Sequence, residues 1–206
     1  MEIDWIWRIV KDHRMESAEP EPTAQSSVLI PLVERDGKLN ILFEVRNSHI
    51  RQGGEVCFPG GRVEAGETPE EAAIRETCEE LCIERENIRV FAPMFSTNRG
   101  NLRIWSYLGV ITAYFDTWSA EEVERTFLVP VEELLEMEPL TAHGKLVVSL
   151  EDTFPFDLIP GGRDYPFASS ARTYYFYQTK GRVIWGLTAL LLYRSMCFLK
   201  ERLSGI

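Results

Sequence analysis

The sequence predicts α/β or α+β layering, with strands before, beside and after one central helix. Three observations carry that expectation. "VLIPLVERDGKLNILFEV" sets two apolar runs around Asp36-Gly37, a β-hairpin signal. "TPEEAAIRETCEEL" opens with a helix-start signal and continues with apolar residues at helical spacing. "RTYYFYQ" reads as a strand and leads into a last helix from about Trp185 to Leu203.

"MEIDWIWRIVKDHR" carries Ile3, Ile6, Trp7 and Val10 at helical spacing and predicts an amphipathic helix over 1–14. "MESAEPEPTAQSS", residues 15–27, is polar, contains Pro20 and Pro22, and reads as a linker. The core is expected over 28–206, all within a single domain of 1–206. After the hairpin, 46–67 is rich in glycine and turns. Thr68 and Glu71 fit a capping box, and Pro69 takes the first helical position, where its missing N–H costs nothing. Strands follow over 87–95 and 102–114, separated by the turn-like "STNRGN"; "VPVEELLEM" suggests a short helix and "KLVVSL" another strand. There is no internal repeat and no low-complexity tract.

The formal net charge of −10 makes the chain a poor general binder of nucleic acid, whose phosphates attract basic surfaces. Cys57, Cys78, Cys82 and Cys197 include no C-x-x-C pair and read as reduced thiols of a cytoplasmic protein. "WGLTALLLY" is too short to span a bilayer, so no membrane role is expected, and the apolar last helix suits either the core or a homodimer contact.

The chemistry concentrates in "RETCEEL". Glu76, Glu79 and Glu80 fall within an arc of ~100° on a helical wheel. They border the apolar stripe of Ala73, Ile74, Thr77, Cys78 and Leu81, near the helix's negative dipole end. Like charges at this spacing repel by ~0.2–0.5 kcal/mol per pair. They are either a solvated acidic face or carboxylates converging on a divalent cation.

From Gly61 the sequence runs through Glu67 to Arg75-Glu76, Glu79-Glu80 and Ile83. This resembles the Nudix box, G-x5-E-x7-R-E-U-x-E-E-x-G-U, with Thr77 at an apolar position and Cys82 where glycine is usual. The resemblance implies a Nudix hydrolase, an α/β/α sandwich around a mixed sheet that cleaves a nucleoside diphosphate linked to another group. It implies Glu76 and Glu80 as main ligands of Mg²⁺ or Mn²⁺, Glu79 as a further ligand or the base for the attacking water, and the Gly60 carbonyl as another ligand. It implies that Arg75 orients the glutamates and Glu67 braces the loop–helix junction. Divalent cations suit this chemistry, because they neutralise pyrophosphate charge and lower the pKa of water. Gly60 and Gly61 let the backbone approach metal and substrate closely.

"LFEVRNSHIRQGGEVCFPGG" resembles the segment preceding the box in coenzyme A pyrophosphatases, L-L-T-x-R-[S/A]-x3-R-x3-G-x3-F-P-G-G. Leu42, Arg46, Arg51, Gly54, Phe58, Pro59, Gly60 and Gly61 match in order; Glu44 and Asn47 depart, and the Arg51–Gly54 gap is one residue short. "WGLTA" at 185–189 resembles the start of that family's last helix. The implied substrate is coenzyme A or an acyl derivative, with Arg46 and Arg51 pairing with phosphate oxygens. ADP-ribose or another nucleoside diphosphate derivative is the alternative substrate, and a non-catalytic nucleotide sensor the alternative role. A surface salt bridge is the other reading of Arg46. Tyr174–Tyr177 and Trp185 are expected in the core, and Gly186 to allow close packing. Glu121, Glu122 and Glu124 read first as a solvated loop and second as an extra ligand or base. His13, His49 and His143 are too scattered for a zinc site, although His49 lies on the phosphate-side loop.

Overall fold

The computed structural model describes residues 22–204. The helix expected over 1–14 and His13 lie outside the described residues. Strands are β1 (Ala24–Arg35), β2 (Lys38–Arg46), β3 (Val56–Cys57) and β4 (Gly60–Arg62), then helix α1 (Pro69–Leu81). There follow β5 (Ile88–Arg99), β6 (Leu102–Ile111), β7 (Val123–Pro130), α2 (Val131–Glu136) and β8 (Leu140–Leu146). β9 (Ser170–Thr179), β10 (Arg182–Ile184) and α3 (Gly186–Ser204) complete them.

The main sheet runs β3-β2-β1-β6-β5, with β4 added on β1 and β7 on β2. β1 and β6 pair in parallel and the other pairs are antiparallel, so the sheet is mixed. Alternation along the central strands splits the core. Leu29, Val33 and Leu42 pack with Ala73, Ile74 and Leu81 of α1. Ile30, Leu32, Ile41, Phe43 and Val45 pack with Leu191, Leu192 and Met196 of α3. The layering is therefore helix, sheet, helix, as strands with two buried faces require. A second sheet, β10-β9-β8, flanks α3.

Several expectations need correction. The strand β1 starts at Ala24, inside the segment read as linker: Ser26 pairs with Arg62 on one side and Ile104 on the other. Its polar residues are held by backbone bonds on both sides, which composition does not reveal. "STNR" continues β5, and the turn is Gly100-Asn101. β8 covers 140–146, so "KLVVSL" is strand only in its first two residues. Gly186 has open space where a Cβ would sit; it is required by its φ of +66°, not by close packing. Tyr177 is buried and Tyr175 stacks on Tyr193 of α3, but Trp185 on the chain leading into α3 is 44% exposed and stacks on Phe176 instead. The hairpin holds as expected: Asp36 and Gly37 both have positive φ, the requirement of a tight two-residue turn.

Candidate active site

Helix α1 starts as its sequence dictates. Thr68 Oγ1 accepts from the Glu71 amide at 3.2 Å and Glu71 Oε2 accepts from the Thr68 amide at 2.7 Å. Such a cap stabilises the start of a helix by ~1 kcal/mol. Its C-terminus has no basic residue in the last turn. The loop after β6 supplies the missing partners: the Ser119 amide donates to the Glu80 carbonyl at 2.8 Å and Thr117 Oγ1 to the Leu81 carbonyl at 2.6 Å. Thr77, standing at an apolar position, is buried with its hydroxyl donating to the Ala73 carbonyl at 2.6 Å. Cys82 caps the helix at φ 52°, ψ 50°, the left-handed region that glycine adopts freely.

The three glutamates are not equivalent. Glu80 is 3% exposed and accepts a 2.7 Å hydrogen bond from the Gly60 amide. Burial, then the charges of Glu76 and Glu122, push its pKa up to about 8 against that bond. Burial also raises Glu76, offset by Arg75. Glu79 keeps 56% of its side chain exposed. Arg75 gathers the group: its guanidinium lies 3.0 Å from Glu76 Oε1, 3.3 Å from Glu79 Oε2 and 2.8 Å from Glu67 Oε1, and donates to the Arg62 carbonyl at 2.9 Å. Glu67 also accepts from the Glu64 amide at 2.7 Å, and these bonds, that of Arg75 foremost, lower its pKa. Glu67 and Arg75 thus tie the β4–α1 loop to the helix.

The glycine loop is fitted to this helix. A Cβ on Gly61 would lie 2.3 Å from the Glu76 carboxylate, and one on Gly60, at φ +147°, 2.2 Å from the Ser27 carbonyl.

One member escaped the sequence reading. Glu44 on β2 registered only as a departure from threonine. It is 1% exposed, its Oε1 has no hydrogen-bond partner, and its Oε2 accepts a long contact from Cys57 Sγ at 3.9 Å. Burial first, then the neighbouring Glu80, drives its pKa well above the carboxylate range. Its signal was a lone acid in an apolar run, on the Leu42 face that packs against α1. Glu122 also belongs nearby, since its charge raises the pKa values of Glu44, Glu76 and Glu80. The loop carrying it is tied to β2 through Asn47, whose amide donates to the Glu122 carbonyl at 2.8 Å. Glu121 is exposed and Glu124 pairs with Arg125 at 3.1 Å.

A cavity of about 520 Å³ opens beside Gly60 and Gly61, lined among others by Arg46, Arg51, Cys57, Arg99, Tyr174 and Trp185. It brings Arg46 and Arg51 together, with Arg46 Nε donating to the Arg51 carbonyl at 3.2 Å. His49 is exposed outside the lining, and His143 lies on exposed β8.

Among the described residues no three carboxylate, thiol or imidazole side chains form a ready-made metal cage. Arg75 and the Gly60 amide take up the oxygens of Glu76, Glu79 and Glu80 instead. The donor chemistry still fits Mg²⁺ or Mn²⁺: the donors are carboxylate oxygens, and the orphaned Glu44 Oε1 and the raised Glu80 mark a place short of positive charge.

A carboxylate-bearing helix faces a glycine loop on a mixed sheet between helices, an arrangement that suits cation-assisted chemistry on phosphates. Comparison with known proteins places the chain more closely. Residues 23–150 match the NUDIX domain. "Nudix hydrolase 3" of Caenorhabditis elegans is 31% identical over 190 residues, spanning 88% of this chain and 76% of that protein. The peroxisomal coenzyme A diphosphatase NUDT7 of Mus musculus is 34% identical over 113 residues, 53% of this chain and 48% of that one. A MutT/nudix family protein from Enterococcus faecalis shares the fold with a TM-score of 0.50 at 15% identity, over 98% of this chain and 70% of that one. The chain belongs to the NUDIX family and is a Nudix hydrolase, a class that acts on small molecules and generally uses divalent cations. No helix of the described residues is long and apolar enough to cross a membrane.

Proposed function

We propose that the chain cleaves the diphosphate of coenzyme A or an acyl-coenzyme A, giving 3′-phosphoadenosine 5′-phosphate and 4′-phosphopantetheine or its acyl form. The observation that carries this is the cavity beside the glycine loop, where Arg46 and Arg51 meet in a chain of net charge −10. Paired guanidinium groups suit diphosphate oxygens. The likeness to a coenzyme A diphosphatase over about half the chain supports the choice.

Glu76, Glu80 and Glu79, with the Gly60 carbonyl, would hold Mg²⁺ or Mn²⁺, which would neutralise the diphosphate and acidify water. Arg46 and Arg51 bind the diphosphate, and Gly61 lets it approach the helix. Arg75 orients Glu76 and Glu79 while Glu67 braces the loop. Glu79, the most exposed of the three, accepts the proton of the attacking water. Water adds to one phosphorus, the bridging P–O bond breaks, and the departing phosphate keeps that oxygen. The catalytic set is thus Glu79, Glu76 and Arg75. All of this belongs to one domain, and the four cysteines, all free, suit a reducing, cytoplasmic setting.

Coenzyme A, ADP-ribose, NADH and dinucleoside polyphosphates, each offered with Mg²⁺ or Mn²⁺, test the substrate. Coenzyme A is expected to turn over fastest; a far faster ADP-ribose would overturn the assignment and leave the reaction class standing. Glu80→Gln separates enzyme from sensor: an enzyme loses turnover by orders of magnitude, whereas a sensor keeps its ligand affinity without metal.

A further inference from the structure

Arg99, at the end of β5, lines the same cavity as Arg46 and Arg51. Its Nε is buried and has no hydrogen-bond partner. Four other arginines find acids: Arg35 with Asp116, Arg75 with Glu67, Arg125 with Glu124, Arg163 with Asp152. Acids outnumber bases 32 to 22, so an unpaired, partly buried guanidinium runs against the composition. The charge that acts on it is that of a second cation. Burial first, then the charge of Arg172 on β9, push the Arg99 pKa below its ordinary value, and the neighbouring group that acts the other way is Tyr174. Arg172 itself lies over the Tyr174 ring, 5.7 Å from the centroid. A buried, unsatisfied guanidinium N–H that also feels a second cation's charge is unfavourable unless an anion joins it. Aromatic surface lies alongside: Tyr174 and Trp185 line the cavity, and Trp185 stacks nearly parallel on Phe176, at 7° and 6.3 Å.

We propose that Arg99 forms a second anion subsite on the β5–β9 side of the cavity, for a phosphate monoester separate from the diphosphate that is cleaved. This rests on the reading of the cavity as a nucleoside diphosphate site and deepens it: the preferred substrate carries an additional phosphate, which on coenzyme A is the 3′-phosphate. The Arg46–Arg51 pair and the carboxylate helix serve the anhydride. Arg99 reads what is attached to it. Glu44, Cys57 and Glu80 are not part of this subsite.

The test compares kcat/KM for coenzyme A and 3′-dephospho-coenzyme A in the wild-type protein, Arg99→Gln and Arg99→Lys. A lost charge-assisted contact predicts a wild-type preference for the phosphorylated substrate on the order of 10- to 100-fold, falling towards one in Arg99→Gln. Arg99→Lys keeps the charge and retains part of the preference. A preference left unchanged in Arg99→Gln, or both substrates weakened by the same factor, overturns the subsite. A second readout needs no turnover of coenzyme A and no variant. Adenosine 3′,5′-bisphosphate should inhibit the wild-type protein, assayed on whichever diphosphate it cleaves best, more strongly than adenosine 5′-monophosphate; equal inhibition overturns the subsite. If ADP-ribose is cleaved and coenzyme A is not, while the bisphosphate still inhibits more strongly, the coenzyme A assignment fails and the subsite stands.

Discussion

Gly61 lies against the carboxylate of Glu76, so closely that a Cβ added there would come within 2.3 Å of it. Gly61 has no positive φ, so alanine suits its backbone and the nearest conflict is with the glutamate. Gly61→Ala should fold, push Glu76 out of place and lower kcat on the order of 10²-fold, the usual effect of ångström-scale misplacement. Gly60→Ala differs, because it meets the Ser27 carbonyl and requires φ +147°; it should lower the melting temperature as well. Paired thermal melts and rate measurements separate the two effects. A Gly61→Ala enzyme of wild-type rate would show that Glu76 is free to move.

Arg75 contacts Glu67, Glu76, Glu79 and the Arg62 carbonyl at once, which needs the forked guanidinium. An ammonium cannot reach all four. Arg75→Lys should therefore keep the fold and lose about 10–100-fold in activity or metal affinity, as changes to the partners of ligands commonly do. Calorimetric titration with Mn²⁺ reads the affinity directly.

Stability should depend on pH through Glu80. Its folded pKa of about 8 stands above the ordinary 4.5, so folding favours the protonated form. That contribution is fully present below the ordinary value and is lost as pH rises through about 8. In chelator, the melting temperature should fall from pH 6 to pH 9, a window above the titration of ordinary carboxylates. Saturating Mg²⁺ or Mn²⁺ should raise it most at the alkaline end, and Glu80→Gln should flatten the metal-free slope. A metal-free melting temperature that rises across this window would refute the account.

Cys82 holds a left-handed backbone where glycine would be unstrained. Cys82→Gly should stabilise the fold by about 1 kcal/mol. In urea the midpoint should rise with an unchanged slope; a lower midpoint would mean that the side chain contributes more than its strain costs.

Much of the site was legible because its determinants are local. Periodicity and the Thr68–Glu71 cap set α1, and spacing along one helix places Glu76, Glu79 and Glu80 on one side. The hairpin at Asp36-Gly37 was equally local, since the turn needs only two residues with positive φ. The sequence alone thus determined the helix, its carboxylates, the glycine loop and the family. Burial and long-range pairing were decided by the tertiary structure. Only the packed sheet puts Glu44 beside Glu80, although 36 positions separate them in the chain. Only strand pairing turns the polar segment at 24–27 into β1, and only the folded chain brings Arg99 of β5 and Tyr174 of β9 to one cavity. The physical reason is that a side chain's charge and solvation depend on its neighbours in space, and neighbours far apart in sequence leave no periodic trace.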